Sequence, residues 1–216
     1  MPLETLPFRI PAERRHAIPV TVAHLDANGL LAYPTETVYG FGCALRPTAL
    51  ERLARLKRRT PDRPFLLLVR GRTDLSGLRW SAAAGRLADA FWPGPLTLAL
   101  PADTAHLPAE IVGPDRTVAI RATAHEGIRA LLSEMAGPIT STSANAPGTP
   151  PATTAAGAAQ AFSALDVTDA LVLDGGSLAP SAPSTLVSCA APRPRILRAG
   201  AIPIAALRRV VPDIDV

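Results

Sequence analysis

The sequence predicts an α/β domain, with helices covering a largely buried sheet. Three observations carry that expectation. Short apolar runs alternate with helical patterns along the whole chain, the arrangement of a sheet packed between helices. One run, Phe65 to Val69, is apolar at every position, as in a strand covered on both faces. No internal repeat and no long linker divides the 216 residues, a length able to bury roughly 70% of its unfolded surface in one core.

The elements follow in order. "IPVTVAHLDANG" reads as a helix with Pro19 near its start and Gly29 as its stop signal. "LLAY", residues 30 to 33, is a short buried strand ended by Pro34. "PTALERLARLKRR" opens with Pro47, suited to a first turn, and sets Leu50, Leu53, Ala54 and Leu56 along one face. "FLLLV" is the strand already described. A helix is expected over Ala82–Phe91, then a Pro-Gly-Pro turn and the strand "LTLAL". "TVAIR" is a strand, "EGIRALLSEM" a helix and "PITSTS" a strand. The Pro/Ala/Gly-rich piece after it reads as a loop leading into the helix "TTAAGAAQAF". "ALVLDGG", "STLVS" and "RILRAG" are strand-like, and "IPIAALRRV" closes the chain as a helix.

Composition excludes several classes. Hydrophobic residues make up 48% and charged residues 19%, ordinary values for a globular domain. No apolar run approaches the length of a membrane span. The first twenty residues mix prolines and charges and lack a signal-peptide core, so a cytoplasmic location is expected. Cys43 and Cys189 lack the spacing of a disulfide framework or zinc site, and the four histidines show no H-x-x-x-H pair. The net charge of +4 mildly favours anionic partners, nucleotide or RNA. Lys57 is the single lysine among 22 basic residues. A position that keeps lysine where arginine fills every other basic place suggests a need for a compact ammonium.

Ligands of open α/β sheets bind beyond strand ends. Polar clusters there are "YPTETVYG" after Tyr33, "KRRTPDR" before Phe65, "RATAHE" from Arg121, "STSAN" after Ile139, and "APSTLV" with "LRAG" late in the chain. Each has a plain structural reading. "PTET" can be a capping box. "KRRTPDR" can be a solvated basic helix end. Arg121 can be a surface ion pair, and "STSAN" a turn bonding its own backbone. Together they suit something more specific. Lys57, Arg59 and Arg63 can clamp phosphates, the serines and Asn145 can bond phosphate oxygens, and a strand-end arginine can hold a carboxylate in a bidentate pair. No "GxxxxGK[ST]", "GxGxxG" or "GxSxG" motif is present.

In "YPTETVYGFG", Lys57-x-Arg59, "WPGPLTL", "VAIR", "STSAN-x-x-G", "PSTLV" and "LRAG", occurring in that order over residues 18 to 204, the chain resembles the YrdC/Sua5 family of L-threonylcarbamoyladenylate synthases. The resemblance is to the short type, one YrdC-like domain over residues 1–216 without the additional C-terminal Sua5 domain. It implies a twisted mixed sheet with a deep, basic concave cleft. It also implies a reaction in which ATP, L-threonine and bicarbonate give threonylcarbamoyl-AMP and pyrophosphate, with Mg²⁺ accompanying ATP. The product serves threonylcarbamoylation of tRNA adenosine 37, which makes tRNA or transfer proteins the expected partners.

The residue roles implied by the resemblance are as follows. Lys57, Arg59, Ser143 and Asn145 form the catalytic set. With Arg63, Thr117 and Arg198 they face ATP, while Thr35, Arg121, Ser141 and Ser184 face threonine. No protein-bound metal is implied. Three positions depart from the family's habit: Thr60 stands where proline is frequent, Arg63 where lysine or asparagine is, and Pro147 where serine is. Two other functions stay open at this point. One is a module binding double-stranded RNA or tRNA without catalysis, which 4% aromatics supports poorly. The other is a YrdC-fold paralogue with different carbamoyl-adenylate chemistry.

Overall fold

The computed structural model describes residues 3–60, 62–113 and 115–216. Among them, ten strands form one mixed sheet in the order β1-β8-β2-β3-β7-β4-β6-β5-β9-β10. In chain order the strands are β1 (Glu4–Pro7), β2 (Leu31–Tyr33), β3 (Gly40–Gly42), β4 (Leu66–Leu68), β5 (Leu96–Pro101), β6 (Thr117–Arg121), β7 (Ile139–Ser143), β8 (Leu171–Asp174), β9 (Thr185–Ser188) and β10 (Arg195–Arg198). The helices are α1 (Pro11–Asp26), α2 (Pro47–Leu56), α3 (Ala82–Phe91), α4 (Glu126–Glu134), α5 (Ala155–Ser163) and α6 (Ile204–Val210). Parallel pairs such as β4 with β6 alternate with antiparallel ones such as β4 with β7. The expected mixed α/β architecture is the one observed.

Side-chain alternation divides the core between the two faces of the sheet. Leu31 and Tyr33 pack with Leu68, Ile139 and the buried residues of α1 and α4. Leu30, Ala32, Phe65, Leu67 and Val69 point the other way, into the larger cluster with α2, α3, α5 and α6. The uniformly apolar "FLLLV" run is thus explained by burial of both faces. Phe41 of β3 and Phe162 of α5 stack with ring centroids 3.8 Å apart in the larger cluster.

Helix α1 is longer than its sequence pattern suggests. It begins at Pro11, where the Glu13 carboxylate accepts from the backbone N–H of Ile10 at 3.2 Å, and it runs through Pro19. Pro19 is exposed, so water can serve the carbonyl that its missing N–H leaves free. Ala17, Ile18, Thr21 and Leu25 form the buried face. The expected stop holds: Asn28 adopts φ 65° and the Gly29 N–H donates back to the His24 carbonyl at 2.9 Å.

Strands β1 and β3 have no counterpart in the sequence pattern. β1 is mostly exposed and pairs only along β8. β3 is "GFG", which looks like a turn in isolation. Its glycines are there for contact with neighbouring backbone: a Cβ at Gly42 would lie 2.1 Å from the Thr140 carbonyl oxygen. Close approach lets β3 pair with β7, Gly40 opposite Ser143 and Phe41 opposite Thr142. Helix α2 ends at Leu56, three residues earlier than its pattern. Arg58 takes a left-handed φ of 46°, which stops the helix and sends Lys57 and Arg59 in different directions.

Candidate functional site

A cavity of about 430 Å³ opens where the C-terminal half of β7 meets the loop after β2 and the face of β5, β6, β9 and β10. That volume lies within the range of roughly 300–1,000 Å³ usual for small-molecule sites. Four arginines line it, Arg59, Arg63, Arg121 and Arg198, against two aspartates, Asp62 and Asp115. Hydroxyls from Thr35, Thr117, Ser141, Ser143 and Ser184 complete the polar wall, and Ala99, Ala119, Leu186 and Leu197 supply an apolar one.

Arg198 and Arg59 hold their charge at a cost. Burial, and after it the charge of Arg121, disfavours the cationic form of Arg198. Burial, and after it Arg63, does the same to Arg59. Like charges held together in a partly desolvated hollow are relieved by an anion. Both are also braced. Arg198 donates to the Ser184 carbonyl at 2.9 Å and to its hydroxyl at 3.1 Å, and that hydroxyl meets Thr97 Oγ1 at 2.8 Å. Arg59 donates to Thr142 Oγ1 at 2.8 Å and lies over the Phe65 ring at 4.8 Å.

The loop from Pro34 is wound by Thr35. Its hydroxyl donates to the Val38 carbonyl at 2.7 Å and accepts from the Thr37 N–H at 3.1 Å. "PTET" is therefore a hydroxyl-bonded turn leading into β3, not the start of a helix. Arg121, at the end of β6, is almost wholly buried and pairs with Glu36, with 2.6 Å between Nη2 and Oε1. A free bidentate fork at Arg121 was the sequence expectation. In this structure Glu36 and the Gly94 carbonyl occupy that edge, the latter accepting from Nε at 3.3 Å.

Lys57 needs a second correction. It does not line the cavity with Arg59 and Arg63. Its ammonium donates to the Ser143 carbonyl at 2.9 Å, the Asn145 carbonyl at 2.7 Å and Asn145 Oδ1 at 2.8 Å. All three N–H groups are directed at the end of β7, behind the wall formed by Ser143. Asn145 is likewise turned away: its Oδ1 also accepts from the Ser143 hydroxyl at 2.6 Å, and its amide donates to the Thr149 carbonyl. Lys57 and Asn145 thus meet each other beside the cavity, while nine other expected residues line it. Burial first, and Arg59 second, bring the Lys57 ammonium down to about 8.

Sequence reasoning missed Glu36, Thr37, Thr97 and Thr142 as parts of this site. Thr142 sits within the quoted "STSAN", and Glu36 and Thr37 within "PTET", where a capping reading masked them. Among the described residues no group of three or more His, Cys, Asp or Glu side chains is placed to hold a metal ion. The wall of guanidinium groups and hydroxyls suits anionic oxygens.

A mixed sheet carrying a small, arginine-rich and hydroxyl-lined hollow defines a protein that receives a compact anionic ligand. Residues 23–200 match the Sua5/YciO/YrdC family model, whose description reads "Telomere recombination", and the chain belongs to that family. It is 43% identical over 156 residues to a threonylcarbamoyl-AMP synthase of Alkalilimnicola ehrlichii, covering 72% of this chain and 78% of that protein. A protein of the same name from Thiobacillus denitrificans is 38% identical, covering 86% and 97% respectively. The structure of Pyrococcus abyssi Sua5 complexed with L-threonine superposes with a TM-score of 0.87 at 32% identity, over 100% of this chain and 62% of that one. The chain thus spans less than two thirds of that protein. Escherichia coli YciO, at 24% identity and a TM-score of 0.81, shares the fold.

Proposed function

We propose that the protein is an L-threonylcarbamoyladenylate synthase, joining L-threonine, bicarbonate and ATP into threonylcarbamoyl-AMP with release of pyrophosphate and water. The observation that carries this reading is the convergence of four arginines and a row of hydroxyls on one small cavity with an apolar wall. That wall suits a nucleobase, and the polar side suits phosphates beside an amino acid. The threonine amine attacks the carbonate carbon, an N–C bond forms and water leaves. A carbamate oxygen then attacks the α-phosphorus of ATP, and the bond to the β-phosphate oxygen breaks. Such chemistry depends mainly on placement and charge neutralisation.

In this reading Arg59 and Arg63 face the phosphates, with Arg198 and Thr117 nearby. Arg121, Thr35, Ser141 and Ser184 surround the amino acid. Ser143 lies between the two, held by Asn145 and by Lys57 from behind. Lys57 therefore acts by fixing the loop and lending it positive charge. Mg²⁺ enters as part of the MgATP substrate. The product would pass to partners that modify adenosine 37 of tRNA, in the cytoplasm. Among the described residues no helix is long and apolar enough to cross a membrane.

Purified protein given MgATP and bicarbonate should release pyrophosphate only when L-threonine is added. Release with a different amino acid and not with threonine would point to paralogous chemistry. Tight RNA binding without any turnover would replace the enzyme reading with that of a binding module.

A further inference from the structure

Arg121 draws attention to a residue outside the expected set, Glu36, and the inference rests on the reading above. A guanidinium grips a carboxylate best along the edge formed by Nε and Nη2, where two N–H bonds run parallel. In this chain that edge is already occupied. Nε donates to the Gly94 carbonyl at 3.3 Å, and Nη2 lies 2.6 Å from Glu36 Oε1. Nη2 is buried, and no acceptor is well aligned with its N–H bonds, so its contact with Glu36 is chiefly ionic. The corner left is Nη1, whose protein partner is the Thr37 hydroxyl at a long 3.5 Å. Both Arg121 and Thr37 line the cavity.

Glu36 is itself anchored without Arg121. Its carboxylate accepts from the Thr123 hydroxyl and from the Ala124 N–H at 3.2 Å, both in the segment just before α4. The Thr123 hydroxyl in turn accepts from the His125 N–H at 3.2 Å. Burial works to raise the Glu36 carboxyl, but the Arg121 charge, the Thr123 hydroxyl and further hydrogen bonds from Arg121 and the backbone pull it down, and the net shift is downward. The carboxylate is therefore ionised at neutral pH and fixed in place.

We propose that Glu36 is a positioning residue: its anchored carboxylate holds the buried side of Arg121 so that the Nη1 corner makes a single-point grip on the carboxylate of the amino-acid substrate. Glu36 does not touch the substrate. It also balances the Arg121 charge when the cavity holds no amino acid, since an unpaired buried cation is costly.

Glu36→Gln tests this. The amide keeps one oxygen, which at the Oε1 position still accepts from the Ala124 N–H, and turns its NH2 towards the Thr123 hydroxyl, but it loses the charge that holds Nη2. The KM for L-threonine should rise about tenfold or more, the scale of one lost charge-assisted contact, while that for ATP stays within about twofold. In an Arg121→Ala background the same change should add nothing to the threonine KM, because Glu36 acts through Arg121. Should E36Q not fold, E36D, which keeps the charge and withdraws it by one methylene, carries the same pair of measurements. An equal rise in both KM values, or a threonine effect that persists without Arg121, overturns the positioning role. An active wild type matched by E36Q overturns the Glu36 inference alone. A wild type without threonine-dependent pyrophosphate release overturns the functional reading, and this inference with it.

Discussion

Lys57→Ala should loosen the seam between the end of α2 and the end of β7. Three acceptors converge on this ammonium within 2.7–2.9 Å: the carbonyls of Ser143 and Asn145 and the Asn145 side chain. They share one charge, and water can reach the freed oxygens, so their contributions do not simply add. Taking the loss as one to two charge-assisted hydrogen bonds gives about 2–4 kcal/mol. In a domain of this size that corresponds to a drop of about 5–15 °C in Tm. Thermal unfolding by circular dichroism reads the change directly. Lys57→Arg should recover little of it, because a planar fork cannot satisfy three acceptors grouped around a point charge.

The pH dependence of the same group follows from its pKa of about 8 in the folded protein against the ordinary 10.5. Between those values the unfolded chain holds more protons at this position, so its contribution to stability increases as pH rises from about 8 towards 10.5. Below pH 8 both states are protonated and the contribution is flat. The stability difference between wild type and Lys57→Met should therefore shift in favour of the wild type across that window. A Lys57→Ala protein that unfolds at the wild-type temperature yet has lost all turnover would refute the tie. Lys57 would then act on the substrate itself.

Three further outcomes are expected. Arg121→Ala should raise the KM for L-threonine by about 10- to 150-fold and leave that for ATP nearly unchanged, by steady-state pyrophosphate release, since one charged contact is lost. Gly42→Ala should destabilise the fold by about 2 kcal/mol or more in denaturant titration, because the new Cβ would lie 2.1 Å from the Thr140 carbonyl and must push β3 from β7. Phe162→Ala removes the ring stacked on Phe41 in the core and should cost about 3–5 kcal/mol by the same measurement.

Much of this protein is written locally. Periodicity alone places α3 at Ala82–Phe91 and marks the apolar strands on either side of it. Strand ends are readable too, because a polar residue after an apolar run signals where burial stops. That is how Arg121 and Ser141 to Ser143 stand out before any contact is known. "PTET" and "GFG" show the limit. Alone, the first looks like a helix cap and the second like a turn. Only pairing with β7 makes β3 a strand, and only the fold brings Glu36 to Arg121, 85 positions further on.

Lys57 shows the same division. Its identity as the single lysine is a property of the sequence. Its destination depends on the left-handed turn at Arg58 and on a strand that begins more than eighty residues later. Hydrophobic patterning sets which elements form, since burial acts on each side chain wherever its partners come from. Which polar groups meet, and which edge of an arginine remains for a ligand, is decided by register and packing between distant segments. No local pattern encodes those distances.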